Sequence, residues 1–178
     1  MDICLIGAGR IAEVHSKNIY NNEKINFKYV VDVNLSAAKK IAKKYNTVAL
    51  GSVDEALKKN DFDSVLIGSP TNTHVDFIKK FSIHGKNILC EKPIDLDINK
   101  VNNCIKVVKR NKTKCVIGFM RRFDPSLMKL KNLISRGRIG DIQMISITAR
   151  DPLPPPLSYV KTSGGIFLDS QIHDIDLA

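Results

Sequence analysis

The hexapeptide Gly7-Ala8-Gly9-Arg10-Ile11-Ala12 restricts what this chain can fold into more than any other segment. It follows a short apolar run, Ile3–Ile6, and opens a stretch with helical spacing at Ile11, Val14 and Ile19. Strand, glycine turn and helix in that order make the G-x-G-x-x-A signature of a dinucleotide-binding βαβ unit. The first glycine permits the tight turn, the second lets a diphosphate approach the backbone, and the alanine lets the helix pack close to the strand. The diphosphate then rests on the amides and positive dipole end of the helix. Gly7, Gly9, Arg10 and Ile11 are therefore candidate cofactor contacts. Asp32 closes the next strand segment, Phe27–Val31. It stands about 20 residues beyond the glycines, where the acid that accepts from a ribose hydroxyl belongs. A carboxylate there repels a 2′-phosphate, and Val33 and Asn34 supply no arginine, so NAD is expected over NADP.

The alternation continues. Leu35–Tyr45 is amphipathic, Thr47–Leu50 is a weak strand, and Ser52 with Glu55 reads as a capping box for a helix over Val53–Lys59. Strand segments at Ser64–Gly68, Asn87–Cys90 and Cys115–Gly118 alternate with helical segments at Thr73–Ile83 and Asp97–Arg110. Strands separated by helices of this length predict a parallel sheet of α/β class. Open α/β sheets bind ligands at the carboxyl ends of their strands. Two such ends carry suggestive residues. Ser69, Thr71, Asn72 and His74 follow the fourth strand and could line the nicotinamide side, or form only a turn in which Thr73 caps the next helix. Glu91 and Lys92 precede Pro93, whose ring holds Lys92 in an extended backbone, well placed to point into a cleft or else a plain surface lysine.

The rhythm changes after Arg121. Pro125–Arg136 reads as a helix and Asp141–Ala149 as a strand. Prolines then crowd residues 152–156, which fits a rigid loop better than any regular element. The expected organisation is a dinucleotide-binding domain over residues 1–122 and an incomplete second unit over 123–178. Near the end, Asp169, His173 and Asp176 stand at i, i+4 and i+7, one face of a helix. An imidazole titrates near neutrality and suits a base, and a neighbouring carboxylate can orient it. The same residues could form a solvated face. A metal site is not expected, because HDID lacks the HExxH pattern and a third strong ligand.

Composition narrows the partners. The net charge is +10, but its lysines recur as pairs on predicted helix faces, without the interleaved aromatics of a nucleic-acid surface. No nucleic-acid partner is expected. No apolar run approaches the length of a membrane helix, and Met1–Gly7 reads as a buried strand rather than a signal peptide. Cys4, Cys90, Cys104 and Cys115 form no CxxC and sit mostly in apolar segments, as buried free thiols in a reducing cytoplasm would.

Five motifs in one order carry a resemblance: GAGRIA, SPTNTH, EKP, the GFMRRFD of Gly118–Asp124, and GGIFLDSQIHDID at the end. Together they resemble the glucose–fructose oxidoreductase, inositol dehydrogenase and MocA family, within it the inositol 2-dehydrogenases. The resemblance implies a Rossmann domain followed by the start of an α/β domain with a mostly antiparallel sheet, which would continue well beyond Ala178. It implies oxidation of a cyclitol or sugar hydroxyl with NAD. By position it makes Lys92, Asp169 and His173 catalytic. It puts Lys92, Arg121, Asp151, His173 and Asp176 on the polyol, and Met120 beside the cofactor with Glu91 and Lys92. It also implies a homo-oligomer for a full-length form. The residues alone leave open a non-catalytic dinucleotide-binding or interaction module, or a fragment without function.

Overall fold

Asp2–Ile6 forms β1, whose side chains alternate between two buried faces, and the chain then crosses to and fro over the sheet it starts. In the computed structural model β1 is followed by α1 (Arg10–Tyr20), β2 (Asn26–Val31), α2 (Leu35–Tyr45), β3 (Val48–Leu50) and α3 (Val53–Lys59). Then come β4 (Ser64–Ile67), α4 (His74–Ile83), β5 (Asn87–Cys90), α5 (Ile98–Arg110) and β6 (Cys115–Ile117). The six strands are all parallel and run in the order β3-β2-β1-β4-β5-β6. That is the doubly wound Rossmann order, and its strand order reverses between β1 and β4. The structure describes residues 1–150, 153–160 and 163–178, which fall into two units, Met1–Gly118 and Phe119–Ala178.

Period-two alternation sorts the strand residues onto two cores. Cys4, Ile6, Val31, Val65, Ile67 and Ile88 face Ala56, Ile78, Phe81 and Cys104 from α3, α4 and α5. Ile3, Leu5, Val30 and Leu66 face Ala12, Ile19, Ala38 and Ile41 from α1 and α2. Each large side chain so buried contributes roughly 1.5–3 kcal/mol of apolar transfer free energy. Phe81 and Leu5, both wholly buried, stand at the centres of the two layers.

Helix ends follow local chemistry, with two departures from expectation. Ser52 accepts from the Glu55 amide at 3.2 Å, as a capping box requires. Glu55, however, reaches back to the Gly51 amide, one residue upstream of the Ser52 amide. Thr73 does not cap α4. Its hydroxyl donates to the Pro70 carbonyl at 2.7 Å and lies 2.6 Å from the Ser69 hydroxyl, because residues Thr71–Thr73 form a 3₁₀ turn. At the other end of α4 the Lys86 and Gly85 amides donate to the Phe81 and Ser82 carbonyls, the paired bonds of a Schellman motif.

The second unit begins with a 3₁₀ turn at Met120–Phe123 and α6 at Pro125–Ser135, capped by Asp124. It continues with α7 (Leu157–Val160), a π-helical turn at Phe167–Gln171 and α8 (Ile172–Leu177). The strand expected over Asp141–Ala149 is not formed; residues 142–150 are irregular and Ile142, Met144, Ile145 and Ile147 are exposed. A strand is stabilised by its ladder and cross-strand pairs, and among the described residues no strand pairs with this segment. Among the described residues no helix is long and apolar enough to cross a membrane.

Candidate functional site

The carboxyl edge of the sheet is built by backbone bonds that continue past the strand ends. The Gly7 amide donates to the Val31 carbonyl at 2.8 Å, and Gly68 to Ile6 at 2.8 Å. Glu91 donates to Ile67 at 2.9 Å, and Gly118 to Cys90 at 2.8 Å. The residues just after β1, β4, β5 and β6 are thereby aligned along one edge. Gly7 lies at φ +100°, and a Cβ there would fall 2.7 Å from the Gly68 carbonyl oxygen. Only glycine allows the two loops to approach this closely.

Gly9 is the N-cap of α1 and brings no side-chain cap. A Cβ at Gly9 would meet nothing within 4 Å, so the space over the helix N-terminus is open. Arg10 and Ile11 form the first turn below it. Asp32 overlooks the same turn. One carboxylate oxygen accepts from the Ala8 amide and the other from the Asn34 amide, both at 2.7 Å. Two bonds fix the carboxylate and leave further lone pairs on each oxygen for ribose hydroxyls. A glycine-capped helix N-terminus with room above it and an anchored acid at a switch point fit an adenine dinucleotide.

The next loops are more tightly tied than the sequence suggests. His74 is 1% exposed. Its Nδ1 lies 2.8 Å from the Pro93 carbonyl and its Nε2 2.8 Å from the Ser69 carbonyl. The ring thus braces the loop after β4 against the loop after β5, with both nitrogens engaged by backbone. Ser69 is bonded to Thr73, and Thr71 and Asn72 belong to the 3₁₀ turn. Glu91 is paired with His15 of α1 at 2.7 Å, a contact that sequence spacing did not suggest. Burial pushes the Glu91 carboxyl up, but the His15 contact and the Lys92 amide outweigh it and hold it below the usual range. Gly118 leaves room for this carboxylate; a Cβ there would come within 3.3 Å of Glu91 Oε2. Lys92 follows on the same loop, joined to Pro93 by a cis peptide.

In the second unit Asp169 lies on the π-helical turn and Asp176 on α8, both half-buried, with His173 buried on α8. The i, i+4, i+7 spacing makes one face only on a continuous α-helix. The wider π turn falls at Asp169, a device that recurs where a helix must present side chains out of α register. The Phe119 ring meets the His173 ring edge-on, with centroids 6.1 Å apart and planes at 89°. Arg121 pairs with Asp174. Arg122 grips Asp176 with two parallel bonds, Nε to Oδ2 at 2.7 Å and Nη2 to Oδ1 at 2.5 Å. Sequence reading selected Arg121 and Asp176 but not Arg122, Asp174 or Phe119. The partners are more than 50 residues apart, and nothing in FMRRFD or HDID says which arginine takes which acid. Met120 stands exposed on the 3₁₀ turn. Asp151 lies outside the described residues.

Residues 1–119 match the model of a family described as an oxidoreductase family with an NAD-binding Rossmann fold. Residues 127–178 match the family's C-terminal domain, described as GFO/IDH/MocA. The chain is 47% identical over 174 residues to an inositol 2-dehydrogenase of Rhizobium meliloti, covering 98% of this chain and 52% of that protein. It superposes on the crystal structure of a myo-inositol dehydrogenase from Corynebacterium glutamicum with a TM-score of 0.93 and 41% identity, over 99% of this chain and 53% of that one. A scyllo-inositol dehydrogenase from Lactobacillus casei, solved with bound NAD(H) and scyllo-inositol, gives a TM-score of 0.84 and 30% identity, over 99% of this chain and 54% of that one. The chain thus spans about half the length of the relatives it matches.

Proposed function

The chain belongs to the GFO/IDH/MocA oxidoreductase family, with the family's NAD-binding Rossmann fold, and from that premise we propose that it serves an NAD-dependent inositol dehydrogenase. The reaction is oxidation of a cyclitol CH–OH, myo-inositol first among candidates, to the ketone. What carries this reading is the likeness to inositol dehydrogenases over 98–99% of the chain. We take residues 1–122 as the cofactor domain and 123–178 as part of the substrate domain, in a reducing cytoplasm that suits four free thiols.

Gly7, Gly9, Arg10 and Ile11 would hold the diphosphate, and Asp32 the adenosine ribose. Ser69, Thr71, Asn72, Glu91, Lys92 and Met120 are assigned to the nicotinamide half, with His74 shaping that loop from beneath. When bound, the nicotinamide supplies the acceptor for the hydride leaving the carbinol carbon. The proton is the protein's task. His173 takes it from the hydroxyl as that C–H bond weakens, and Asp169 orients the imidazole and stabilises its cation. Lys92 donates to the reacting oxygen and offsets its developing negative charge. Arg121, Asp151 and Asp176 are assigned to the remaining hydroxyls.

The test has two parts. Calorimetry should show NAD bound at least tenfold more tightly than NADP, with the preference lost in Asp32→Ala. NADH formation with myo-inositol should follow, and His173→Ala should lower kcat by about 10²–10⁴. Dinucleotide binding without turnover on any inositol would overturn the dehydrogenase reading and leave a binding module.

A further inference from the structure

We propose that Arg122 is a positioning residue of the polyol-binding face, fixing the Asp176 carboxylate directly and the His173 ring through Phe119. The inference rests on the dehydrogenase reading above for the word polyol, and on geometry for the rest. Arg122 meets Asp176 fork to fork, the arrangement that sets both distance and plane of a carboxylate. The Asp176 side chain is 10% exposed while that of Arg122 is 60% exposed. The acid is inside and the base covers it from without. The same guanidinium lies over the Phe119 ring, 5.6 Å from its centroid, and that ring abuts His173 edge-on. One cation therefore touches the acid assigned to the hydroxyls and backs the aromatic ring that packs on the imidazole.

The chemistry favours this use. A polyol offers hydroxyl donors at fixed angles, so an accepting carboxylate is effective only if its plane is already set. After the fork is made, each Asp176 oxygen keeps a lone pair for a hydroxyl. The neighbouring Arg121–Asp174 pair ties the same two segments together, so Arg122 is not needed to hold α8 in place. An ion pair whose cation is this exposed adds little to stability. Its loss should be read in substrate binding, not in folding.

The experiment compares Arg122→Ala, Arg122→Lys, Asp176→Asn and the double variant R122A/D176N with the wild-type chain. Arg122→Ala should raise KM for myo-inositol about tenfold or more, with kcat and KM for NAD changed less than about threefold, as loss of a positioned charge pair predicts. Arg122→Lys, which keeps the charge but not the fork, should recover only part of this. In the Asp176→Asn background the alanine substitution should raise KM for myo-inositol no further, which an independent structural role would not produce. Thermal midpoints should stay within about 3 °C of wild type. In the unliganded chain the His173 imidazole resonances should shift in Arg122→Ala and in Phe119→Leu. Additive effects of the two substitutions, an equal rise in KM for NAD, or unmoved imidazole resonances would each overturn the proposal. If the wild-type chain turns over no inositol, the dehydrogenase reading fails, and the imidazole resonances then decide alone whether Arg122 positions this face.

Discussion

A methyl group added at Gly7 would land 2.7 Å from a backbone oxygen, on a residue already at positive φ. Neither problem can be relieved by a side-chain rotation, because the obstacle is the Gly68 carbonyl. Gly7→Ala should therefore cost about 2–4 kcal/mol, read from the shift of the urea midpoint. Ser16 is the opposite case. Its hydroxyl is wholly buried on the inner face of α1 and has no hydrogen-bond partner among the described residues. Ser16→Ala removes an unsatisfied polar atom while keeping the close helix–sheet packing, and should stabilise by up to about 1 kcal/mol in the same assay. Legibility also divides at this scale. Asp32 could be read because a fixed spacing joins it to the glycines, and its bond to the Ala8 amide is the physical content of that spacing. Arg122 could not. Two adjacent arginines and two acids allow either pairing, and only the folded geometry selects one.

Among the elements, period and capping did most of the predictive work. Helices α2 and α3 begin and end at the expected residues, since Asn34 and Ser52 supply caps at one end and left-handed Asn46 and Asn60 close the other. Ser52→Ala should cost about 1 kcal/mol, measurable as a lowered denaturation midpoint without change of slope. Two elements escaped the periodic argument. The π turn at Phe167–Gln171 has no residue code distinct from an α-helix, so the run DSQIHDID reads as one helix. Residues 142–150 have the alternation of a strand but no ladder among the described residues, and alternation alone makes no hydrogen bonds. Their amides should exchange with solvent fastest in a hydrogen-exchange experiment, while β1 and β4 at the sheet centre should exchange slowest.

Across the whole molecule, the free thiols couple folding to alkaline pH. Burial pushes the Cys4 thiol up to about 12 and the Cys115 thiol up to about 11, and it raises Cys90 and Cys104 as well. A thiol whose folded pKa is raised stays protonated while the unfolded chain gives up its proton. The folded state then binds more protons, so stability is constant below the unfolded value near 9 and falls as pH rises beyond it. The loss should be roughly 1 kcal/mol for each strongly shifted thiol at pH 10. Thermal unfolding between pH 8 and 10.5 checks this; a flat midpoint, or rapid labelling of Cys4 in the folded chain, would contradict it.

The bonds that carry the ladder one residue past the strands have a consequence for sequence change. Gly7, Gly68, Glu91 and Gly118 are each hung from the neighbouring strand of the sheet by an amide hydrogen, a group that every amino acid but proline possesses. The anchoring is blind to the side chain. A lineage can therefore rewrite the chemistry displayed after β5, exchanging one acid or base for another, without moving the peg on which it hangs. Past β5 the edge behaves as a pegboard, in which position is inherited from the backbone and only the tool is chosen by the residue.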